Sequence, residues 1–528
     1  MSGHSGPPPA TGAWREGDPP GRRQWATVPG PFRLEAGGSL PEVRLAYETW
    51  GTLATGRSNA VLVLHALTGD SHVTGPAEPG HPSPGWWREL IGPGRPLDPA
   101  TWYVVAPNVL GGCQGSTGPA SPAPDGRPWG SRFPFLTIRD QVDAEVAVAD
   151  ALGITSWAAV VGGSMGGMRA LEWAVSYPDR VSALLLLACA AASSAEQIAW
   201  AAPQLHAIRA DPGWRSGDYY GARPGDGPHR GLGVARRIAH VTYRSEAELA
   251  ARFGRRHQDG EQPWAGGRYA VESYLDHHAD KLAWRFDAGS YITLAEAMNS
   301  HDIGRGRGGS AAALRRIRAR TLVAGIDSDR LYPLAQQEHL AGRIPGAGSV
   351  RVITSPNGHD AFLIEAEQVG ACLGELLAAP GPRRVSALTT VLVTTGLVTT
   401  GLVDRNAGGE QMDEARARSR LRAERAEVQG LLSETEAAGQ QDRAAEDETG
   451  DISDPAQPLT AQGMDDAVAE SLRDRLAALG RAEQRLDNGT FGRSIRSGLP
   501  IPDERLEADP AAELTVEEAR AEESRARP

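Results

Sequence analysis

Cysteine is almost missing from this chain: Cys113, Cys189 and Cys372 are the three in 528 residues. That excludes a disulfide scaffold, and no two of them stand at the short spacing of a zinc site. Lysine is scarcer still, with Lys281 alone, so arginine carries the positive charge. There is no basic excess of the kind that binds nucleic acid, because 54 basic residues face 66 acidic ones. The stretch 1–23 is rich in Gly and Pro and has no apolar run, which excludes a secretory signal peptide. We expect residues 1–30 to form a flexible leader and the chain to be cytoplasmic.

What is present is unevenly placed. From Asp413 onward there are 27 acidic and 16 basic residues, a net of −11, against −12 for the whole chain. A nearly neutral first part and an acidic tail point to two modules. Hydrophobic residues at 40% are enough for a globular core.

Between 32 and 379, short apolar runs alternate with helix-length stretches. The runs are Ala60-Val-Leu-Val-Leu64, Tyr103-Val-Val-Ala106, Trp157-Ala-Ala-Val-Val161, Ala183-Leu-Leu-Leu-Leu187, Thr321-Leu-Val-Ala324 and Ser349-Val-Arg-Val-Ile353. Unbroken runs of this kind suit strands buried on both faces of a mostly parallel sheet. Helical stretches at 141–152 and 168–177 complete an α/β alternation. The segment 196–300 has no strand run. It has helix-like pieces at 235–243, 246–253, 270–280 and 291–299, as a lid inserted over strand ends would. The expected organisation is an α/β catalytic domain at 31–195 and 301–380, a lid at 196–300, a linker at 381–411 and a helical tail at 412–528.

The run 385–403 is free of charge and repeats Thr394-Thr-Gly-Leu-Val398 as Thr399-Thr-Gly-Leu-Val403. Its length approaches that of a membrane span, but six threonines make it too polar, so it reads as a linker. The segment 385–411 reads as a translated junction between two joined reading frames. Beyond it, charged helices at 413–438 and 465–487 with sparse apolar positions suit an antiparallel hairpin.

Gly162-Gly163-Ser164-Met165-Gly166 fits G-x-S-x-G, with a strand before it and a helix after. A serine on such a turn projects its Oγ above the sheet edge, and the helix N-terminus faces developing negative charge. Ser164 is the expected nucleophile. The order of such a triad is Ser, then acid, then His. Asp327 and Asp329 both follow a late strand, and His359 follows the last one, so either aspartate could orient the imidazole. The loop His65-Ala66-Leu67-Thr68-Gly69-Asp70 follows the strand at 60–64. It would supply the Leu67 amide to an oxyanion hole beside the Met165 amide. His65 itself reads as a structural loop residue. Cys113, without a local histidine, reads as a structural or tunnel-wall residue.

Asn108-Val-Leu-Gly-Gly-Cys-Gln-Gly-Ser-Thr-Gly-Pro119, Gly162-Gly-Ser-Met-Gly-Gly167, Asp327-Ser-Asp-Arg-Leu-Tyr-Pro333 and Gly358-His-Asp360 together resemble the homoserine O-acetyltransferases. These are acyl-CoA-dependent members of the α/β-hydrolase superfamily that act in methionine biosynthesis. The resemblance spans about 32–377. It implies an α/β-hydrolase fold with an inserted helical lid, and a triad of Ser164, Asp329 and His359. It also implies homoserine binding by Arg236, with Arg237 as the alternative, and by Asp360. Acetyl-CoA would be a co-substrate, with no cofactor and no metal, and the protein would be a homodimer joined through the lid. Nucleic-acid and membrane partners are not expected. The alternatives are a succinyl donor, a serine acceptor or plain hydrolysis.

The tail text Leu486-Asp-Asn-Gly-Thr-Phe-Gly-Arg-Ser494-Ile-Arg-Ser497-Gly-Leu-Pro-Ile-Pro-Asp-Glu-Arg-Leu-Glu507 resembles the DksA/TraR-type zinc-finger proteins. That family's four zinc cysteines fall at Ser494, Ser497, Thr515 and Glu518. Three hydroxyls and a carboxylate do not make a structural zinc site, so none is expected. The family's hairpin enters a channel of RNA polymerase, and a polymerase-associated regulatory role is the reading from another functional class.

Overall fold

The apolar runs become the centre of a single sheet. The computed structural model describes residues 6–378 and, beyond them, positions between 417 and 518 that include all of 476–502. Eight strands form the sheet: β1 (Gln24–Arg33), β2 (Ser39–Trp50), β3 (Ala60–Leu64), β4 (Tyr103–Pro107), β5 (Ala159–Gly163), β6 (Ala183–Leu187), β7 (Arg320–Ile326) and β8 (Arg351–Ile353). Their order is β1-β2-β4-β3-β5-β6-β7-β8. The β1–β2 and β2–β4 pairs are antiparallel and every other pair is parallel. Every residue of β3, β5 and β6 is buried, as a sheet covered on both faces requires.

Helices α1 (Ile138–Ala151) and α2 (Met165–Ser176) precede the lid, which comprises α3 (Ala195–Ala210), α4 (His229–Tyr243), α5 (Glu246–Phe253), α6 (Ala270–Arg285) and α7 (Ala288–Asn299). The short α8 (Ser310–Leu314) then leads to β7, and α9 (Leu334–Ala341), α10 (Ala361–Ile364) and α11 (Ala366–Ala378) follow. Helix α1 starts at a capping box, with Thr137 and Asp140 each serving the other's amide. Helix α3 has the same device at Ser194 and Gln197. Pro203 inside α3 hides this helix from a reading by pattern. The α/β-hydrolase architecture with an inserted helical lid is as expected.

The flexible leader is a correction. Residues 24–30 are the first part of β1, and the segment before them is docked. Thr11 Oγ1 donates to Asp287 Oδ1 at 2.7 Å, Gly12 N to Phe286 O at 3.1 Å and Trp14 N to Cys113 O at 2.9 Å. Arg23 is buried and spends its guanidinium on carbonyls of Pro20, Gly80 and Gln114. A proline-rich strap can dock this way because a few amides and side chains, not a ladder, hold it.

The chain divides into two units, Met1–Ser386 and Ala387–Pro528. In the second, Ala417, Leu421, Val428, Leu479, Ala482 and Leu486 form an apolar cluster between two helical stretches. Arg418 pairs with Asp487 at 2.7 Å and Arg425 pairs with Glu483, an antiparallel order. The linker at 381–411, the run 385–403 and most of the tail lie outside the described residues. No helix among the described residues is long and apolar enough to cross a membrane.

Candidate active site

Ser164 sits between β5 and α2 at φ 56° and ψ −124°, a backbone conformation that costs a non-glycine residue about 1–3 kcal/mol. Two glycines make the turn possible. A Cβ on Gly166 would stand 2.0 Å from Leu64 O, and one on Gly162 would stand 2.2 Å from Gly166 O. Strain at this point holds the hydroxyl clear of the sheet, at the end of α2 where free amides gather.

The imidazole comes from the loop after β8, three strands along the sheet from β5. His359 Nε2 lies 2.9 Å from Ser164 Oγ, and its Nδ1 lies 2.6 Å from Asp329 Oδ2. The other oxygen of Asp329 accepts the Leu331 and Tyr332 amides at 2.8 and 2.9 Å. Asp329 is buried, whereas Asp327 is exposed and accepts the Ser355 amide. Burial alone would lower the pKa of His359, but the Asp329 carboxylate, with help from Asp360, outweighs it and lifts the imidazole above its ordinary 6.5. Tyr332 stacks on the ring at 5.0 Å and Phe362 meets its edge at 5.5 Å.

The oxyanion loop is held from two directions. The buried Arg169 pairs with Glu145 at 2.6 Å and donates to His65 O at 2.6 Å. His65 Nε2 accepts the Val109 amide, so the ring is neutral, and burial pulls its pKa to about 3. It is no base at working pH. The Leu67 amide donates to no other group among the described residues. Met165 opens α2, where its amide has no carbonyl one turn back.

From the lid, Arg236 Nη1 donates to Thr68 Oγ1 at 3.3 Å, its guanidinium lies 5.8 Å from the centre of the Tyr243 ring, and its buried Nε has no partner among the described residues. Arg237 turns away to Asp276, at 2.7 Å. Asp360 does not stand alone: Arg244 Nε lies 3.4 Å from its Oδ2. Tyr243 and Arg244 were not singled out in the sequence. Their only signal was their place seven and eight residues after Arg236, two helical turns on, at the end of α4.

A family model described as the alpha/beta hydrolase fold matches residues 59–366. The homoserine O-acetyltransferase of Thermobifida fusca is 70% identical over 72% of this chain and 100% of its own length. This chain belongs to the homoserine O-acetyltransferase family. Among solved structures, the homoserine O-acetyltransferase of Bacillus anthracis superposes with a TM-score of 0.61 at 27% identity, over 68% of this chain and 98% of that one. Esterase E22 gives the same TM-score at 26% identity, over 67% and 100%. A homoserine O-acetyltransferase is an acyltransferase, and acyl transfer is what the geometry above can perform.

Two other groups invite a chemical role and do not support one. Cys113 is buried, and burial first, then the nearby Asp287, push its thiol up to about 12, so the thiolate is not formed. Glu48, His72 and His81 are buried with ligand atoms within 4.8 Å of one another. The two rings stack at 3.9 Å with planes 11° apart, so no point within coordination distance lies in the plane of both, as imidazoles sharing an ion require. His81 Nε2 also already accepts the Arg22 amide. The group works as a buried ion pair: burial opposes charge on His72, and Glu48 at 3.1 Å overrides it.

Proposed function

We propose that the protein transfers an acetyl group from acetyl-CoA to the hydroxyl of L-homoserine, giving O-acetyl-L-homoserine and CoA, in methionine biosynthesis. The observation that carries the reading is the Ser164–His359–Asp329 chain of hydrogen bonds under a lid whose Arg236 reaches the oxyanion loop. His359 takes the Ser164 proton as Oγ attacks the thioester carbonyl. The Leu67 and Met165 amides hold the oxyanion, CoA leaves as a thiol with the proton from His359, and an acyl-serine remains. Homoserine then gives its hydroxyl proton to His359 and its oxygen takes the acyl group; the Ser164 Oγ–acyl bond breaks and His359 returns the proton to Oγ. Arg236 grips the substrate carboxylate and Asp360 its ammonium. Because Asp360 already faces Arg244, the ammonium would share that carboxylate with a guanidinium. The residues present form the whole relay, so no cofactor is invoked, and acetyl-CoA is a co-substrate.

Homodimerisation through the lid is part of this reading. Ile198 and Trp200 on α3 and Val234 on α4 are 41%, 37% and 43% exposed, apolar side chains that a second copy could cover. Light scattering of the full chain tests it. The deciding experiment for the activity pairs acetyl-CoA or succinyl-CoA with homoserine, serine or water. Thiol release on acetyl-CoA with homoserine and a product heavier by one acetyl group is expected. Succinyl-homoserine, acetyl-serine or free acetate as the main product would replace it.

For the tail we propose a metal-free relative of the DksA/TraR-type fold. Ser494 Oγ donates to Glu518 Oε2 at 2.6 Å, and the same oxygen accepts from Thr515 Oγ1 at 3.1 Å and Thr515 N at 3.0 Å. Positions that carry zinc ligands in that family satisfy one another here, and their oxygens do not suit structural zinc. A polymerase contact is an outcome to test by pull-down, not a premise.

A further inference from the structure

We infer that Arg285 is a positioning residue for the oxyanion hole: it ties the Thr68–Gly69 peptide, just past Leu67 on the same short loop, to the lid, so that lid placement and oxyanion stabilisation are set together. The inference rests on the acyl-serine reading above. Arg285 is the last residue of α6, and its Nη2 donates to Thr68 O at 3.0 Å. Arg236, from α4, takes the hydroxyl of the same threonine. On the core side, Arg169 holds His65 O. The Leu67 amide therefore lies on a short loop whose carbonyls are pinned on both sides of it, one by the sheet domain and one by the lid.

Arg285 is itself braced from behind. Its own carbonyl accepts Gln114 Nε2 at 2.8 Å, and Gln114 Oε1 accepts Arg23 Nη2 at 2.9 Å. The N-terminal strap presses on the same peptide. A Cβ on Gly12 would stand 2.5 Å from Phe286 N and 2.6 Å from Arg285 C, an approach only glycine permits. A half-buried guanidinium kept for one loop carbonyl, on a backbone braced by Gln114 and the N-terminal strap, does more than cover apolar surface. Oxyanion donors act through their placement, and a misplacement of about 1 Å can cost a hundredfold in rate.

The test uses the full-length protein and p-nitrophenyl acetate, an ester that reports acylation of Ser164 and has no carboxylate for the lid to grip. Arg285→Met is expected to lower the acylation rate constant about 10–100-fold with little change in KM for the ester. Arg285→Lys, which keeps a charged donor, is expected to recover most of that loss. A lid strut would not give this split, because it would change binding and stability without rescue by lysine. If Arg285→Met does not fold, as judged by its melting transition, Gly12→Ala carries the test. It should lower the same rate constant by a smaller factor. Wild-type acylation by the folded Met variant, or by Gly12→Ala where only that one folds, overturns the inference, as does a Lys variant no better than Met. If Ser164→Ala still shows the acylation burst, the acyl-serine reading itself is wrong. A burst that needs Ser164 but ignores Arg285 overturns the positioning role alone.

Discussion

Ser164 and Ser494 each belong to a group that ends in a carboxylate, one in each unit of the chain. Ser164 reaches Asp329 through His359, over contacts of 2.9 and 2.6 Å. Ser494 reaches Glu518 directly, at 2.6 Å. The direct contact is the poorer base. Hydrogen bonds from Ser494, Ser497 and Thr515 hold the Glu518 carboxylate down to about 2, far too low to take a hydroxyl proton. His359 is held above 6.5, closer to the pH at which it must work. The lone pairs of Ser494 Oγ are also engaged, by the Arg496 and Ser497 amides at 3.1 and 3.3 Å. A hydroxyl beside a carboxylate is a knot; an imidazole between them, and a strained turn that keeps the hydroxyl clear, make a relay.

The sharpest way to break that contrast is to remove each hydroxyl. Ser164→Ala should cut acyl transfer by about 10⁶-fold, as in other serine relays, while Ser494→Ala leaves turnover at the wild-type rate. Steady-state thiol release from acetyl-CoA with homoserine reads both. Next in size is the acid. Asp329→Asn should cost about 10⁴-fold, whereas Asp327→Asn, on an exposed carboxylate bound to one amide, should change the rate only a few-fold.

The same base also gives a pH signature. The relay needs neutral His359, so acylation should rise with pH through a value above 6.5. Its contribution to stability runs the other way. A raised folded pKa stabilises the protein fully below 6.5, and that contribution fades as pH climbs through the raised value. Acylation rate and melting temperature measured from pH 5 to 9 should show opposite slopes in one window. Asp329→Asn should move that window down.

A smaller effect is expected in the lid. Arg236→Met should raise KM for homoserine about 10–100-fold, the worth of a charged hydrogen bond, and lower kcat much less. Arg237→Met, whose parent residue is paired with Asp276, should not raise KM. In the sequence the two arginines were told apart only by resemblance, because adjacent helical residues carry the same propensity. Their directions, 100° apart on α4, separate them in space.

Other parts of the molecule divide in the same way. The elbow at Ser164 and strands β3 and β6 were legible because a buried parallel strand must be an unbroken apolar run. Strands β1 and β2 were not. They are antiparallel at the edge of the sheet, carry Pro29, Pro31 and Pro41, and bury only some positions, so their text looks like a loop. Asp329 and Asp327 were equivalent as letters apart from the resemblance, and in the structure burial and the contact with His359 separate them. Arg285 and Gln114 gave no signal, because their partners lie 217 and 171 residues away along the chain.

The smallest effect concerns the tail, and it tests the other half of the contrast. Its polar knot gathers three donors on one carboxylate, which accepts from Ser494, Thr515 Oγ1 and Thr515 N. Because Glu518 is depressed to about 2 from an ordinary 4.5, its contribution is complete above 4.5 and is lost as pH falls toward 2. Glu518→Gln mimics the low-pH state at neutral pH. In the full-length protein, hydrogen exchange of peptides covering 494–515 should quicken in this variant, while the peptide carrying Ser164 and the rate of acyl transfer stay unchanged. Zinc content should be negligible in both proteins. Slow exchange in the variant would mean that the carboxylate is incidental and the apolar residues Ile501, Leu506 and Ala512 hold the segment by themselves. One equivalent of zinc in the wild type would mean that the oxygens bind metal after all, and the comparison between a chemical carboxylate and a structural one would have to be redrawn around an ion.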